Sequence, residues 1–235
     1  MRKPCIVALG GGGFSTEPDN PRLDRYLLSL TGKKRPKVLF LPTASGDSEI
    51  YCLRFYSTFT QLDARPTHLS LFKRDVEDLR ALLLDQDLIY VSGGNTANML
   101  AIWRVHGLDV ILREAWEAGI VLCGLSAGAL CWFEEGLSDS FGAELSALKD
   151  GLGFLPFSHC PHYDGEALRR PRYWETIRSG ELGAGYAADD GAARRFEATR
   201  LVEVVCSRPE SRAFHVRLEG DGVKEAELRV RLLEP

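Results

Sequence analysis

The chain has 235 residues, 45% hydrophobic and 26% charged, with a formal net charge of −4. That balance fits a folded domain with a sizeable core and excludes a disordered or collagen-like chain. Nothing in it calls for nucleic acid or an anionic membrane as partner.

The apolar run after Met1-Arg2-Lys3-Pro4 ends within a few residues at four glycines, too short for a signal peptide or a membrane span. Cys5 to Leu9 therefore reads as a first buried strand, and Gly10 to Gly13 as the turn out of it. Neither the Lys-Ser/Thr of a P-loop nor an acidic residue placed for a dinucleotide follows, so the run reads as a permissive loop near a site. Asn20-Pro21 is expected to cap a helix through about Ser29.

Lys37 to Pro42 is a second buried strand, followed by the loop Thr43 to Ser48 and a helix to about Leu62. A third strand is expected at His68 to Leu71, with a helix from Val76 to about Leu84. Leu88 to Val91 is a fourth strand, which turns through Ser92-Gly93-Gly94-Asn95-Thr96 into a helix over Ala97 to Val105, and a further helix covers Asp109 to Ala118. This β-α repetition with short loops predicts a largely parallel sheet covered on both faces, with a site outside the carboxyl ends of its strands. Leu201 to Cys206, Ala213 to Leu218 and Ala226 to Leu233 read as strands, with a hairpin turn at Glu219 to Gly222, and predict a C-terminal antiparallel extension. The reading is a single domain, 1–235. The six cysteines are dispersed without C-x-x-C or metal-ligand spacing, which suggests reduced, mostly buried thiols in a cytoplasmic protein.

The chain is organised around Gly119 to Leu130, GIVLCGLSAGAL. Ile120 to Cys123 has the β-branched character of a buried strand, and Gly124-Leu125-Ser126-Ala127-Gly128 follows at once. A G-x-S-x-G segment between strand and helix reads as a nucleophile elbow, with the first helical amides free to bind an oxyanion. Such a serine needs a base, usually histidine. His68, His106 and His215 sit in structural or exposed contexts. His159 and His162, in Ser158-His159-Cys160-Pro161-His162-Tyr163-Asp164, follow the short apolar segment Phe154 to Phe157, a candidate next strand, and remain as candidates; apolar spacing does not separate them.

VSGGNT at Val91 to Thr96, GLSAGA at Gly124 to Ala129 and PHY at Pro161 to Tyr163, in that order, resemble the peptidase E and cyanophycinase group of serine exopeptidases. The resemblance spans roughly Cys5 to Cys206. It implies a three-layer α/β/α sandwich related to class I glutamine amidotransferases, with Ser126 as nucleophile, His162 as general base and the Gly94 and Ala127 amides as oxyanion hole. It points to Asp139 as the acid, with Glu134, Glu135 and Glu144 as alternatives. His162 would take the Ser126 proton and return it to the leaving amine, with no metal or organic cofactor. The family's substrates are small and acidic, so Arg172, chosen from Arg169, Arg170 and Arg172, is expected to pair with a substrate carboxylate, and Asn95 to line the same site. An aspartyl dipeptidase and a carboxypeptidase fit equally. An esterase with the same serine mechanism and a non-catalytic small-molecule sensor are the competing readings. The expected partner is a short peptide; a homodimer is compatible with this pattern, in which a subunit interface reads like core.

Overall fold

β1 (Cys5–Leu9), β2 (Lys37–Leu41), β4 (Leu88–Val91) and β5 (Val121–Leu125) are almost wholly buried, as expected of parallel strands covered on both faces. In the computed structural model, which describes residues 3–234, they lie side by side in an eight-stranded sheet. Naming the remaining strands β3 (Arg65–His68), β10 (Ala192–Glu197), β11 (Arg200–Cys206) and β14 (Arg231–Leu232), the order is β14-β11-β10-β1-β5-β4-β2-β3. The half from β1 to β3 is parallel, whereas β10 runs antiparallel to β1 and β11 antiparallel to β10.

Alternation along the strands divides the core. Val7, Leu9, Val38, Phe40 and Tyr90 point to one face, where α1 (Arg22–Leu30) and α2 (Glu49–Gln61) cover them. Ile6, Ala8, Leu39, Ile89 and Val91 point to the other, under α3 (Leu79–Leu84), α4 (Thr96–His106), α5 (Leu108–Glu117) and the short α6 (Ala127–Leu130). The fold is thus an α/β/α sandwich.

A second sheet, not anticipated from the sequence, packs beside it. It comprises β6 (Phe133–Ser138), β7 (Ser146–Leu148), β8 (Leu155–Cys160), β9 (Gly185–Ala188), β12 (Ala213–Glu219) and β13 (Gly222–Glu227), in the order β13-β12-β9-β8-β6-β7. Phe133 and Leu155 of this sheet share one apolar cluster with Ile6 and Leu122 of the first. The C-terminal strands are therefore divided: β11 and β14 extend the large sheet, while β12 and β13 form a hairpin on the small one. The expected strand over Ala226 to Leu233 is two strands, one in each sheet.

Other boundaries also shift. The third strand is Arg65–His68, because an edge strand needs no apolar face; Leu69 and Leu71 plug the core just beyond it. The helix expected from Val76 starts at Leu79, where Asp78 accepts the Ala81 amide as its cap. Asn20 caps nothing: its side-chain amide donates to Glu17 and to the Ser207 carbonyl, and α1 begins beyond Pro21. α7 (Arg169–Arg178) packs on the small sheet through Tyr173 and Ile177. No helix among the described residues is long and apolar enough to cross a membrane.

Candidate active site

The loops after β1, β2, β4 and β5 all emerge at one end of the large sheet, the carboxyl end of its parallel strands. Ser126 stands there between β5 and α6 with φ 53° and ψ −115°, a conformation that costs a serine roughly 1–3 kcal/mol. The flanking glycines make the turn sterically feasible. A Cβ on Gly124 would lie 2.2 Å from the Gly128 carbonyl oxygen, and one on Gly128 would lie 2.3 Å from that of Val91. Helix, strand and neighbouring strand thus meet backbone to backbone beneath the serine.

The β4–α4 loop runs beside this elbow. A Cβ on Gly93 would be 3.5 Å from Ser126 Cβ. Gly94 has φ 137°, a region open to glycine, and its backbone is pressed against Ala44 so closely that a Cβ would lie 2.1 Å from the Ala44 oxygen. Among the described residues, the Gly94 amide donates to no acceptor, and the Ala127 amide, first in α6, has no intrahelical partner to reach. Asn95 is used structurally: its Oδ1 accepts the Asn98 amide 2.9 Å away as the α4 cap, and its Nδ2 donates to the Ser140 carbonyl at 2.9 Å. Ser140 Oγ in turn accepts the Thr96 amide at 2.9 Å. The loop after β6 therefore clamps the turn that carries Gly94.

His162 follows β8 and Pro161 with φ 51°, and its amide donates to the Gly10 carbonyl at 3.3 Å. The Ser126 amide donates to the preceding carbonyl, that of Leu9, also at 3.3 Å. Successive carbonyls of one strand end thus anchor the serine and the histidine. His162 Nδ1 is 2.6 Å from Asp190 Oδ1, which leaves Nε2 as the nitrogen available to a hydroxyl. Asp190 lies in the β9–β10 turn, and the His162 hydrogen bond holds its carboxyl below the ordinary aspartate value despite partial burial.

The glycine run after β1 now has a physical reason. A Cβ on Gly11 would sit 2.1 Å from Asp190 Oδ1 and 3.0 Å from His162 Cε1, so the His-Asp pair occupies the space that a side chain there would take.

Asp139 is not the carboxylate at His162. It is exposed on the loop after β6, 3.7 Å from Arg169. The alternatives are also elsewhere: Glu135 accepts the Gly183 amide and pairs with Lys149, while Glu134 and Glu144 are exposed. Asp190 lies outside every element the sequence predicts; the signal for it is Asp189-Asp190-Gly191 as a turn between apolar stretches. His159 is fully buried, stacked on Phe133 at 4.6 Å, with Nδ1 3.1 Å from the Tyr186 carbonyl oxygen. Burial and the Arg194 guanidinium push its ring well below the usual histidine value, so it is held neutral in the core. Arg172 lies on α7, with Nε donating to the Leu145 carbonyl at 3.2 Å and Nη1 2.7 Å from Glu175. Among the described residues no group of three or more His, Cys, Asp and Glu is placed to hold a metal ion.

A strained serine elbow on an α/β/α sandwich, with a His-Asp pair at the same strand ends, places the protein among the serine hydrolases. The chain belongs to peptidase family S51, whose family model matches residues 6–204, and it is a serine-type peptidase. It is 52% identical to the "Uncharacterized peptidase YgaJ" of Bacillus subtilis (strain 168), over 97% of this chain and 98% of that one. It is 36% identical to a peptidase E of Shewanella amazonensis over 37% of each chain. The crystal structure of a peptidase from an acI-B1 actinobacterium has the same fold, with a TM-score of 0.70 and 20% identity over 97% of this chain and 95% of that one.

Proposed function

We propose that the protein hydrolyses short peptides through a Ser126-His162-Asp190 triad, with the Gly94 and Ala127 amides as oxyanion hole. The single observation that carries this reading is the 2.6 Å His162–Asp190 contact at the strand end that also anchors Ser126. Asp190 orients the ring and stabilises the imidazolium that forms. His162 Nε2 removes the Ser126 proton as the hydroxyl attacks the peptide carbonyl, the two amides stabilise the tetrahedral oxyanion, and His162 protonates the leaving amine. Water then repeats the sequence on the acyl-enzyme.

The substrate carries a free carboxylate, and Arg172 is its proposed reader. Arg170 is committed to Glu225, and the buried Arg169 is held by Glu166. Among the described residues Arg172 forms its ion pair with the solvent-exposed Glu175, a type of pair worth less than about 1 kcal/mol and readily exchanged for a substrate carboxylate. An aspartyl dipeptidase and a carboxypeptidase both use such a contact. The deciding experiment is hydrolysis of Asp-Xaa dipeptides, N-blocked peptides with a free C-terminus and C-terminally amidated peptides by the protein and its Ser126→Ala variant. Serine-dependent cleavage of Asp-Xaa alone selects the dipeptidase, and cleavage of N-blocked but not amidated peptides selects the carboxypeptidase. No serine-dependent cleavage overturns the proposal.

A further inference from the structure

Beneath the glycine turn lies an acid that the mechanism above does not use. Asp24, in the first turn of α1, is fully buried, and neither of its oxygens has a hydrogen-bond partner among the described residues. The Tyr90 hydroxyl, on β4, is likewise buried and without a partner. Both face the same spot. A Cβ on Gly13 would lie 3.0 Å from the Tyr90 hydroxyl and 3.2 Å from Asp24 Oδ1. The Phe14 amide also faces the carboxyl without reaching hydrogen-bond geometry.

The charged groups around this spot decide its protonation. Facing Asp24 are Glu17 from the turn after the glycine run, Tyr90 from β4 and Cys123 from β5, with no lysine or arginine among them. The N-terminal end of α1 favours a negative charge, but a helix dipole is a small effect beside full desolvation of an unpaired carboxylate. Desolvation wins and raises the carboxyl to about 7. As a neutral acid, Asp24 avoids the cost of a desolvated charge and carries an O–H donor on the side of the turn that the phenol also faces.

The turn above this floor anchors the His162-Asp190 half of the candidate triad. Gly10 O accepts the His162 amide, and Gly11 O accepts the Gly191 amide beside Asp190 at 3.1 Å. Phe14 anchors the same turn on its apolar side, 5.2 Å from the Tyr90 ring and 5.5 Å from that of Phe40.

We propose that Asp24 is a positioning residue: a neutral carboxylic acid that, with the Tyr90 hydroxyl, forms the polar floor of the Gly10–Gly13 turn and thereby seats His162 and Asp190. The positioning part rests on the serine-histidine reading above; the protonation part does not. The folded-state value is raised, so the unfolded chain releases this proton at lower pH, and the cost to the fold grows as pH rises from the ordinary aspartate range to about 7. Asp24→Asn mimics the neutral acid and removes that cost.

The test combines two readouts on Asp24→Asn, Asp24→Ala and Tyr90→Phe. In urea unfolding between pH 5 and 8, the folding constant of Asp24→Asn should gain on wild type by about a hundredfold, the gap levelling off above pH 7. Parallel curves overturn the neutral-acid assignment. The second readout is labelling of Ser126 by a fluorophosphonate, which needs no known peptide substrate. Asp24→Asn should label within twofold of wild type, whereas Asp24→Ala should show a saturating rate at least tenfold lower with unchanged reagent affinity. Tyr90→Phe carries the same expectation if Asp24→Ala does not fold. Equal labelling rates in all variants overturn the positioning role. A wild type that does not label overturns the nucleophile assignment instead, and the unfolding curves still decide the state of Asp24.

Discussion

Asp190 Oδ1 lies 2.6 Å from His162 Nδ1 although 28 residues separate them, and Gly11 is what lets them meet. The pair defines the candidate site more sharply than the serine motif does, because it fixes which nitrogen of the ring is left for Ser126.

Replacing Asp190 by Asn should lower kcat by about 10³- to 10⁴-fold, since the amide favours the wrong imidazole tautomer. Asp139→Asn should change kcat less than about threefold, because its carboxylate only meets Arg169 at the surface. Steady-state kinetics on both variants distinguish the two acids. A larger loss in Asp139→Asn would restore Asp139 as the catalytic carboxylate.

The same contact has a signature in acid. Asp190 is held below the ordinary aspartate value, so its stabilising contribution is present above that value and is lost as pH falls through the lower folded one. Wild type should therefore lose stability relative to Asp190→Asn as pH drops below about 4. Unfolding curves between pH 3 and 6 measure it, and a constant difference across that range would contradict the shift.

Ser126→Ala should abolish turnover and keep the fold. Ser126→Gly should do the same yet melt about 2–4 °C higher than wild type, because glycine relieves roughly 1 kcal/mol of strain at φ 53°. Calorimetry on the two variants reads the strain directly. Identical melting temperatures would mean that the elbow stores none.

Gly11→Ala places a methyl in the space of the Asp190 carboxylate and against His162. We expect kcat to fall at least about 100-fold with KM little changed, since displacing the base disturbs the transition state rather than binding. Full activity would imply that the turn yields without moving the pair.

Asn95→Ala removes the α4 cap and the bond to Ser140, at a cost of about 1 kcal/mol in stability. Arg172→Ala should leave stability unchanged within about 0.5 kcal/mol and raise KM for substrates with a free carboxylate. An unchanged KM would remove Arg172 from the site.

Much of the fold was legible in the sequence. β1, β2, β4 and β5 are short β-branched or leucine-rich runs buried on both faces, and glycine or proline punctuates their ends. The small sheet was less legible: β6 mixes exposed and buried positions, β7 has three residues and β9 is a four-residue Gly-Ala-rich run, so these patterns are too weak to stand out, and β8 showed only as the apolar segment Phe154 to Phe157. For the same reason the segment from Gly185 to Glu197, which holds Asp190, had no predicted element to place it.

By itself the sequence determined what depends on local geometry: a strand-to-helix elbow around Ser126, a glycine turn after the first strand, and a Pro-His-aromatic segment downstream. Only the tertiary structure decided which histidine and which carboxylate face one another. That choice is made by the β1–β10 and β8–β9 pairings, which bring the β9–β10 turn and the loop after β8 to the same strand end. It turns His162 toward Asp190 and His159 into the core, although the two histidines are only three residues apart in the chain.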